Sequence, residues 1–120
     1  KAADYLFVFE SRADIESIKP DVLKLMNLDR RGVIITAEAS DYDFVARFFA
    51  PKLGVYEDPV TGSAYTQLAP YWADRLGKKR LNARQVSFRG GNVTCEVAGD
   101  RVFIAGTAVK YMEGKIKLTL

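Results

Sequence analysis

The sequence contains no histidine and only one cysteine, Cys95. A single cysteine cannot form a disulfide within the chain, and without histidine we expect no zinc site and predict no metal. The same absence excludes a serine or cysteine hydrolase with a histidine base. Cys95 lies in an alternating stretch, residues 93–97, which predicts a small buried side chain rather than a reactive thiol. Any proton transfer by this chain must come from carboxylates, tyrosines, lysines or a group on another chain.

Long apolar runs are also missing. No stretch approaches the roughly 20 consecutive apolar residues that span a bilayer, so we expect no membrane partner. Residues 1–4 lack the basic region and apolar run of a signal peptide, and we therefore expect the cytoplasm. The formal charge is only +3, from 18 basic and 15 acidic residues. The densest basic run, residues 78–80, is typical of a solvated loop, and we expect no nucleic-acid partner.

The composition is that of one ordinary globular domain. Its 120 residues are 48% apolar and 28% charged, within the usual range for a domain with its own core. No linker, repeat or low-complexity segment divides the chain. We therefore predict that residues 1–120 form a single domain.

Patterns in the first half predict strands and one helix. Residues 5–10 form an apolar and aromatic run bounded by polar residues, which favours a buried strand. The β-branched run at 33–37 and the stretch 43–50 predict two more strands. A helix is expected to begin at Pro20, because proline suits the first helical position.

The second half predicts a long helix and further strands. Apolar spacings of three and four over residues 63–76 predict the helix, and Gly77 is placed to end it. Pro70 removes one helical hydrogen bond, so we expect a kink or a later start. The predicted strands are 82–89, 92–98, 101–105 and 107–112, with turns at Gly90-Gly91 and Gly99-Asp100. The predicted fold class is α+β, with mainly antiparallel strands around one central helix.

The residues with chemical potential lie in the loop 51–62, which holds two prolines and two glycines and leads into the long helix. The first helical N–H groups have no internal partner, and the small residues Gly62 and Ser63 would let a carboxylate or phosphate reach them. Two simpler interpretations stay open. Thr61 or Ser63 could merely cap the helix, and Asp58 could be a turn residue before a proline.

One set of short segments forms a recognisable signature along the chain. It begins with Arg47-Phe48-Phe49-Ala50-Pro51, then Gly54, then Glu57-Asp58-Pro59-Val60-Thr61-Gly62-Ser63-Ala64. It continues through residues 68–72, Gln85-Val86-Ser87, 89–91 and 106–109. In these segments, which run through essentially the whole chain in order and with compatible spacing, the chain resembles PhzF-like proteins of the phenazine-biosynthesis family.

This resemblance implies an isomerase with a fold related to diaminopimelate epimerase, in which two similar halves enclose the active site. It implies that this chain is the C-terminal half and that an N-terminal half is its partner. By the same resemblance, Asp58 is a catalytic carboxylate, and Gly62 and Ser63 present backbone N–H groups to a small carboxylate substrate. Thr61 and Tyr65 are also expected to bind the substrate. No cofactor or metal is implied. The family's founding activity isomerises a dihydro-hydroxyanthranilate by proton transfer.

Two departures from the family pattern affect these expectations. The family's main acid/base is a glutamate in the other half, so we expect this chain alone to be inactive. Tyr65 stands where many relatives carry histidine, and it could either donate a hydrogen bond or pack in the core. Arg47 and Arg89 could clamp a carboxylate or form ordinary ion pairs.

Two further expectations concern partners. If the fold is kept without turnover, the chain is a non-catalytic small-molecule-binding or assembly module. We also expect a homodimer, because a second copy could imitate the missing half. Apolar residues flank the loop and could supply such an interface: Phe48, Phe49, Tyr56, Val60 and Tyr65.

Overall fold

A computed structural model describes residues 3–119, which form three helices and six strands. The elements in chain order are β1 (Tyr5–Val8), α1 (Arg12–Ser17), α2 (Val22–Met26), β2 (Val33–Glu38), β3 (Phe44–Phe49), α3 (Tyr65–Leu76), β4 (Arg80–Gln85), β5 (Gly91–Ala98) and β6 (Arg101–Ala105). Short 3₁₀ turns occupy Pro51–Leu53 and Gly62–Ala64. This mixture of helices with one sheet confirms the α+β class.

The six strands form one sheet in which neighbours in sequence are neighbours in space. β1 pairs with β2 and β3 pairs with β4 in parallel, whereas the remaining pairings are antiparallel. The first parallel pair is connected through α1 and α2, and the second through α3. Because such crossovers are right-handed and β3 runs antiparallel to β2, the two sets of helices must cover opposite faces of the sheet.

The larger core lies between α3 and one face of the sheet. The helix contributes Tyr65, Leu68, Ala69 and Trp72, which pack on inward side chains from β2 to β5. The Trp72 ring stacks on Phe44 at 5.6 Å, and its indole N–H donates to the Thr36 hydroxyl at 3.0 Å. Buried aromatic and aliphatic side chains contribute about 1.5–3 kcal/mol each, so this face dominates the packing energy.

The smaller core lies on the opposite face and is covered by α1 and α2. Ile15 of α1 is fully buried there against residues of β2 and β3. We did not predict α1 from the sequence, because Ile15 is its one buried residue and gives no apolar periodicity. Its signal is a capping box, in which Ser11 and Asp14 satisfy each other's backbone N–H groups.

Several expectations in the first half need correction. Residues 5–10 do not form a buried strand: β1 ends at Val8 and is an edge strand whose Phe7 is half exposed. The helix expected from Pro20 begins at Val22, with the Asp21 side chain as its cap. The strands expected at 33–37 and 43–50 are confirmed as β2 and β3, with their ends moved by one residue.

In the second half the long helix begins later than Ser63. A 3₁₀ turn precedes α3, which starts at Tyr65, runs through Pro70 and ends at Gly77 with a left-handed φ of 65°. Pro70 is tolerated on the exposed side of the helix. Instead of 82–89, β4 spans Arg80–Gln85, whereas β5 and β6 match the prediction to within one residue.

The strand predicted at 107–112 is wrong. Within the part of the chain that the structure describes, residues 106–119 form no helix or strand, and their side chains are exposed. An alternating pattern produces a strand only where a neighbouring strand offers hydrogen bonds. No helix in residues 3–119 has both the length and the apolar character to cross a membrane.

Candidate functional site

The loop predicted to carry the chemistry leaves the carboxyl end of β3 and leads into α3. β3 and β4 are parallel, so the carboxyl end of β4 reaches the same edge of the sheet. The loop is fastened to this edge at its middle, where the Asp58 N–H donates to the Phe48 carbonyl at 3.0 Å. Residues from β3, β4 and the start of α3 therefore meet in one place.

A buried glutamine at the end of β4 holds the loop. Gln85 is 1% exposed, and its carbonyl oxygen accepts from the Thr61 N–H at 2.9 Å. Its amide nitrogen donates to the Asp58 carbonyl at 2.7 Å and to the Thr61 hydroxyl at 3.1 Å. The Thr61 hydroxyl donates in turn to Asp58 Oδ2 at 2.6 Å. Two residues beyond Gln85, the Ser87 hydroxyl donates to the Pro59 carbonyl at 2.8 Å.

The start of the helix region has free donors. Among residues 3–119, the backbone N–H groups of Gly62 and Ser63 have no protein hydrogen-bond partner, and both residues are exposed. Thr61 occupies the capping position but makes no side-chain cap, because its hydroxyl is turned to Asp58. The simple capping interpretation for Thr61 is therefore not observed. A Cβ added at Gly62 would meet nothing within 4 Å, so there is open space beside this residue.

The Ser63 side chain is held from the other side by Arg31. Nη2 of Arg31 donates to the Ser63 hydroxyl at 3.0 Å, and the same guanidinium forms a two-pronged pair with Asp4 at 2.9 and 2.5 Å. The Asp4 carboxylate is fully buried, and its hydrogen bond raises the pKa of Arg31. Because Asp4 neutralises the Arg31 guanidinium, Arg31 acts at the helix start as a fixed hydrogen-bond donor to Ser63 rather than as a free charge.

A cleft of about 400 Å³ opens next to these donors. Its lining includes Gly62, the exposed Arg89, Gly90 and Gly91. Only glycine fits at position 91, because an added Cβ would overlap the Val60 side chain. Because Arg89 is exposed and lines the cleft, it is available to a ligand there.

Arg47 is engaged elsewhere. Its guanidinium pairs with Glu57 at 2.7 and 3.1 Å and donates to the carbonyls of Ile15 and Ile18 at 2.7 and 2.8 Å. These bonds attach the end of α1 to the loop. The ion-pair interpretation therefore describes Arg47.

Tyr65 lies in the core rather than in the cleft. Its side chain is fully buried, with its ring 6.1 Å from that of Phe44. Its hydroxyl has no hydrogen-bond partner in the described part of the chain, and burial raises the pKa of the phenol above its usual 10.0. This placement supports packing over direct contact with a substrate.

The apolar residues considered for an interface divide between core and surface. Phe48 and Phe49 are buried on opposite faces of the sheet, so with Tyr65 they cannot supply a docking surface. Tyr56 is half exposed at the loop and remains available. Across residues 3–119, no group of three or more Cys, Asp or Glu side chains could hold a metal ion.

The sequence patterns did not identify three residues that contribute to the site. Gln85 and Ser87 belong to a segment that carried the family resemblance, and this was the available signal for them. Arg31 had no such signal, because only folding brings residue 31 beside residue 63.

Known proteins resemble this chain in sequence and in fold. The model of the family described as phenazine biosynthesis-like protein, PhzC-PhzF, matches residues 2–114. An uncharacterized isomerase of Pseudomonas aeruginosa is 51% identical over 118 residues, which cover 98% of this chain and 46% of the relative. An uncharacterized isomerase of Halalkalibacterium halodurans is 40% identical, with 96% of this chain and 44% of the relative covered. The chain thus spans about half the length of these relatives.

Solved structures agree in fold. A phenazine biosynthesis PhzC/PhzF protein from Clostridium difficile superimposes with a TM-score of 0.88 at 42% identity, covering 98% of this chain and 46% of that chain. A PhzF-family protein from Enterococcus faecalis gives 0.86 at 48% identity, covering 88% and 41%.

Proposed function

The chain belongs to the phenazine biosynthesis-like (PhzC-PhzF) family, whose relatives include named isomerases, and we propose that it supplies one half of an isomerase active site. In this proposal Asp58 transfers a proton on a small carboxylate-bearing substrate without a cofactor. The observation that carries it is the hydrogen bond from Thr61 to Asp58, which holds the carboxylate next to the chain segment whose Gly62 and Ser63 N–H groups have no partner among residues 3–119.

The helix start would hold the substrate carboxylate. Two unpartnered N–H groups and the positive end of the helix dipole suit an anion at this position. The Arg31 guanidinium, which is paired with Asp4, donates to the Ser63 hydroxyl, and Arg89 lines the same cleft as Gly62. Fixed donors of this kind orient a substrate and stabilise negative charge that develops when a carbon loses a proton.

Asp58 would exchange the proton. Its Oδ2 accepts from Thr61, while its Oδ1 has no hydrogen-bond partner among the described residues and can face a substrate. One carboxyl group removes a proton from a substrate carbon and another returns a proton elsewhere, so the reaction is an isomerisation with no net change in protons. A positioned acid or base of this kind contributes about 100-fold or more to the rate.

The second proton-transfer group would come from a half that lies outside this chain. The chain covers less than half of its isomerase relatives, and the family resemblance implies a glutamate in the other half. In the completed protein, each half would wrap its strands around a central helix, and the cleft beside Gly62 would face the partner half.

The test is deuterium incorporation from heavy water into a panel of small carboxylates that includes a dihydro-hydroxyanthranilate. We expect no exchange with the 120-residue chain alone, and exchange once it is joined to an N-terminal half from a relative. Exchange by the chain alone would contradict the half-site proposal. No exchange by the completed protein with any carboxylate that binds would favour a non-catalytic binding module.

A further inference from the structure

We infer that Gln85 and Thr61 are positioning residues that fix the Asp58 carboxylate with a single oxygen, Oδ1, presented for proton transfer. This inference rests on the proposed role of Asp58. Its structural part, the fixed orientation of the side chain, can be measured without any substrate.

The Thr61 backbone sets the orientation of the Gln85 amide. The Thr61 N–H can only donate, so the Gln85 group 2.9 Å from it must be the carbonyl oxygen. The amide nitrogen therefore points to the Asp58 carbonyl at 2.7 Å and to the Thr61 hydroxyl at 3.1 Å. One backbone donor thus removes the ambiguity that a glutamine amide otherwise has.

The Gln85 amide in turn determines where the Thr61 hydroxyl proton points. A hydroxyl has one proton, and the Thr61 oxygen already accepts from Gln85. Its own proton is therefore free to donate to Asp58 Oδ2, at the short distance of 2.6 Å that is typical of a charge-assisted bond. A chain of donors thus runs from Gln85 through Thr61 to Asp58 and ends on one carboxylate oxygen.

Burial and attachment to the sheet make this chain of hydrogen bonds rigid. Gln85 is 1% exposed and Thr61 is 7% exposed, so water competes little for these bonds. Gln85 is the last residue of β4 and is paired with Ala46 of β3, which ties the amide to the centre of the sheet. Ser87 fastens Pro59 from the same strand end. The loop that carries Asp58 is thus held at residues 58, 59 and 61 by the last residue of β4 and by Ser87, two residues beyond it.

The alternative is that the hydrogen bonds of Gln85 and Thr61 only stabilise the loop. A matched pair of variants separates the two roles. Thr61→Val keeps the side-chain shape but removes the hydroxyl, and Thr61→Ser restores it. Thr36→Val is the control, because Thr36 is also buried, donates to the Val45 carbonyl at 2.6 Å and lies outside the site.

The first measurement uses the 120-residue chain. Three-bond couplings between Hα and Hβ of Asp58 report its χ1 rotamer. We expect one rotamer in the original chain, in Thr61→Ser and in Thr36→Val, and averaged couplings in Thr61→Val and in Gln85→Met. A single unchanged Asp58 rotamer in folded Thr61→Val would overturn the inference.

The second measurement uses the completed protein and the deuterium-exchange assay. Loss of one hydrogen bond to a charged group predicts a fall in kcat of about 10-fold or more in Thr61→Val with little change in KM, and recovery of kcat in Thr61→Ser. Thr36→Val should lower the melting temperature and leave kcat unchanged. An equal loss of kcat in Thr36→Val would mean that stability alone is being measured. If the unsubstituted protein has no exchange activity, the proposed function fails while the rotamer result still decides the positioning.

Discussion

Replacing Tyr65 with phenylalanine should stabilise the protein. The Tyr65 hydroxyl is fully buried and lacks a hydrogen-bond partner in the described part of the chain. A buried polar group without a partner costs about 1–3 kcal/mol relative to water, whereas the ring keeps its contact with Phe44 when the hydroxyl is removed. Removing one oxygen also leaves little empty space. We therefore expect Tyr65→Phe to raise the unfolding free energy by about 1 kcal/mol.

The assay is urea unfolding at pH 7, supported by thermal unfolding. For a domain of this size, 1 kcal/mol corresponds to an increase in melting temperature of about 3–6 °C. The pH dependence gives an independent check. Burial raises the pKa of the Tyr65 phenol above 10.0, so the folded state holds its proton more tightly than the unfolded state. That contribution is present below pH 10 and is lost as the pH rises, so the original chain should lose stability above pH 10 faster than Tyr65→Phe. A less stable variant would show that the hydroxyl has a favourable partner and would refute the packing argument.

Three further predictions follow from the same geometry. Burial raises the pKa of Cys95 to about 11, so a thiol reagent at pH 8 should leave the folded chain unmodified and react once urea is added; rapid native reaction would contradict this. Gly62→Pro removes one free N–H and should weaken the acetate-induced shift of the Ser63 amide resonance, whereas Gly62→Ala keeps the N–H and should retain the shift. Sedimentation should detect a dimer of the 120-residue chain that Tyr56→Lys weakens; a monomer at high concentration would remove the homodimer proposal.

Local sequence patterns correctly predicted the helices and strands whose own residues show a clear period or a terminal glycine. Residues 63–76 have both helical spacing and a terminal glycine, and α3 forms there with only its first turn altered. Cys95 alternates with its neighbours on β5 and is fully buried as expected. In both cases the side chains that face the core are set by the period of the backbone itself.

The misses depend on contacts between distant parts of the chain. β1 has an apolar sequence but lies at the sheet edge, and sheet order is not encoded in a six-residue run. Residues 107–112 alternate as a strand does, yet a strand needs a partner. The hydrogen bond from Gln85 to Asp58 joins residues 27 apart in the sequence, so spacing alone could not predict it.

The central claim is that Asp58 transfers a proton, and Asp58→Asn in the completed protein tests it most directly. Asparagine keeps the shape, and its carbonyl oxygen can still accept from Thr61. We expect kcat for deuterium exchange to fall about 100-fold or more, with KM and melting temperature nearly unchanged. Asp100→Asn, on an exposed turn, controls for the lost charge and should keep full activity. Unaltered kcat in Asp58→Asn, or a loss matched by a lower melting temperature, would contradict the account.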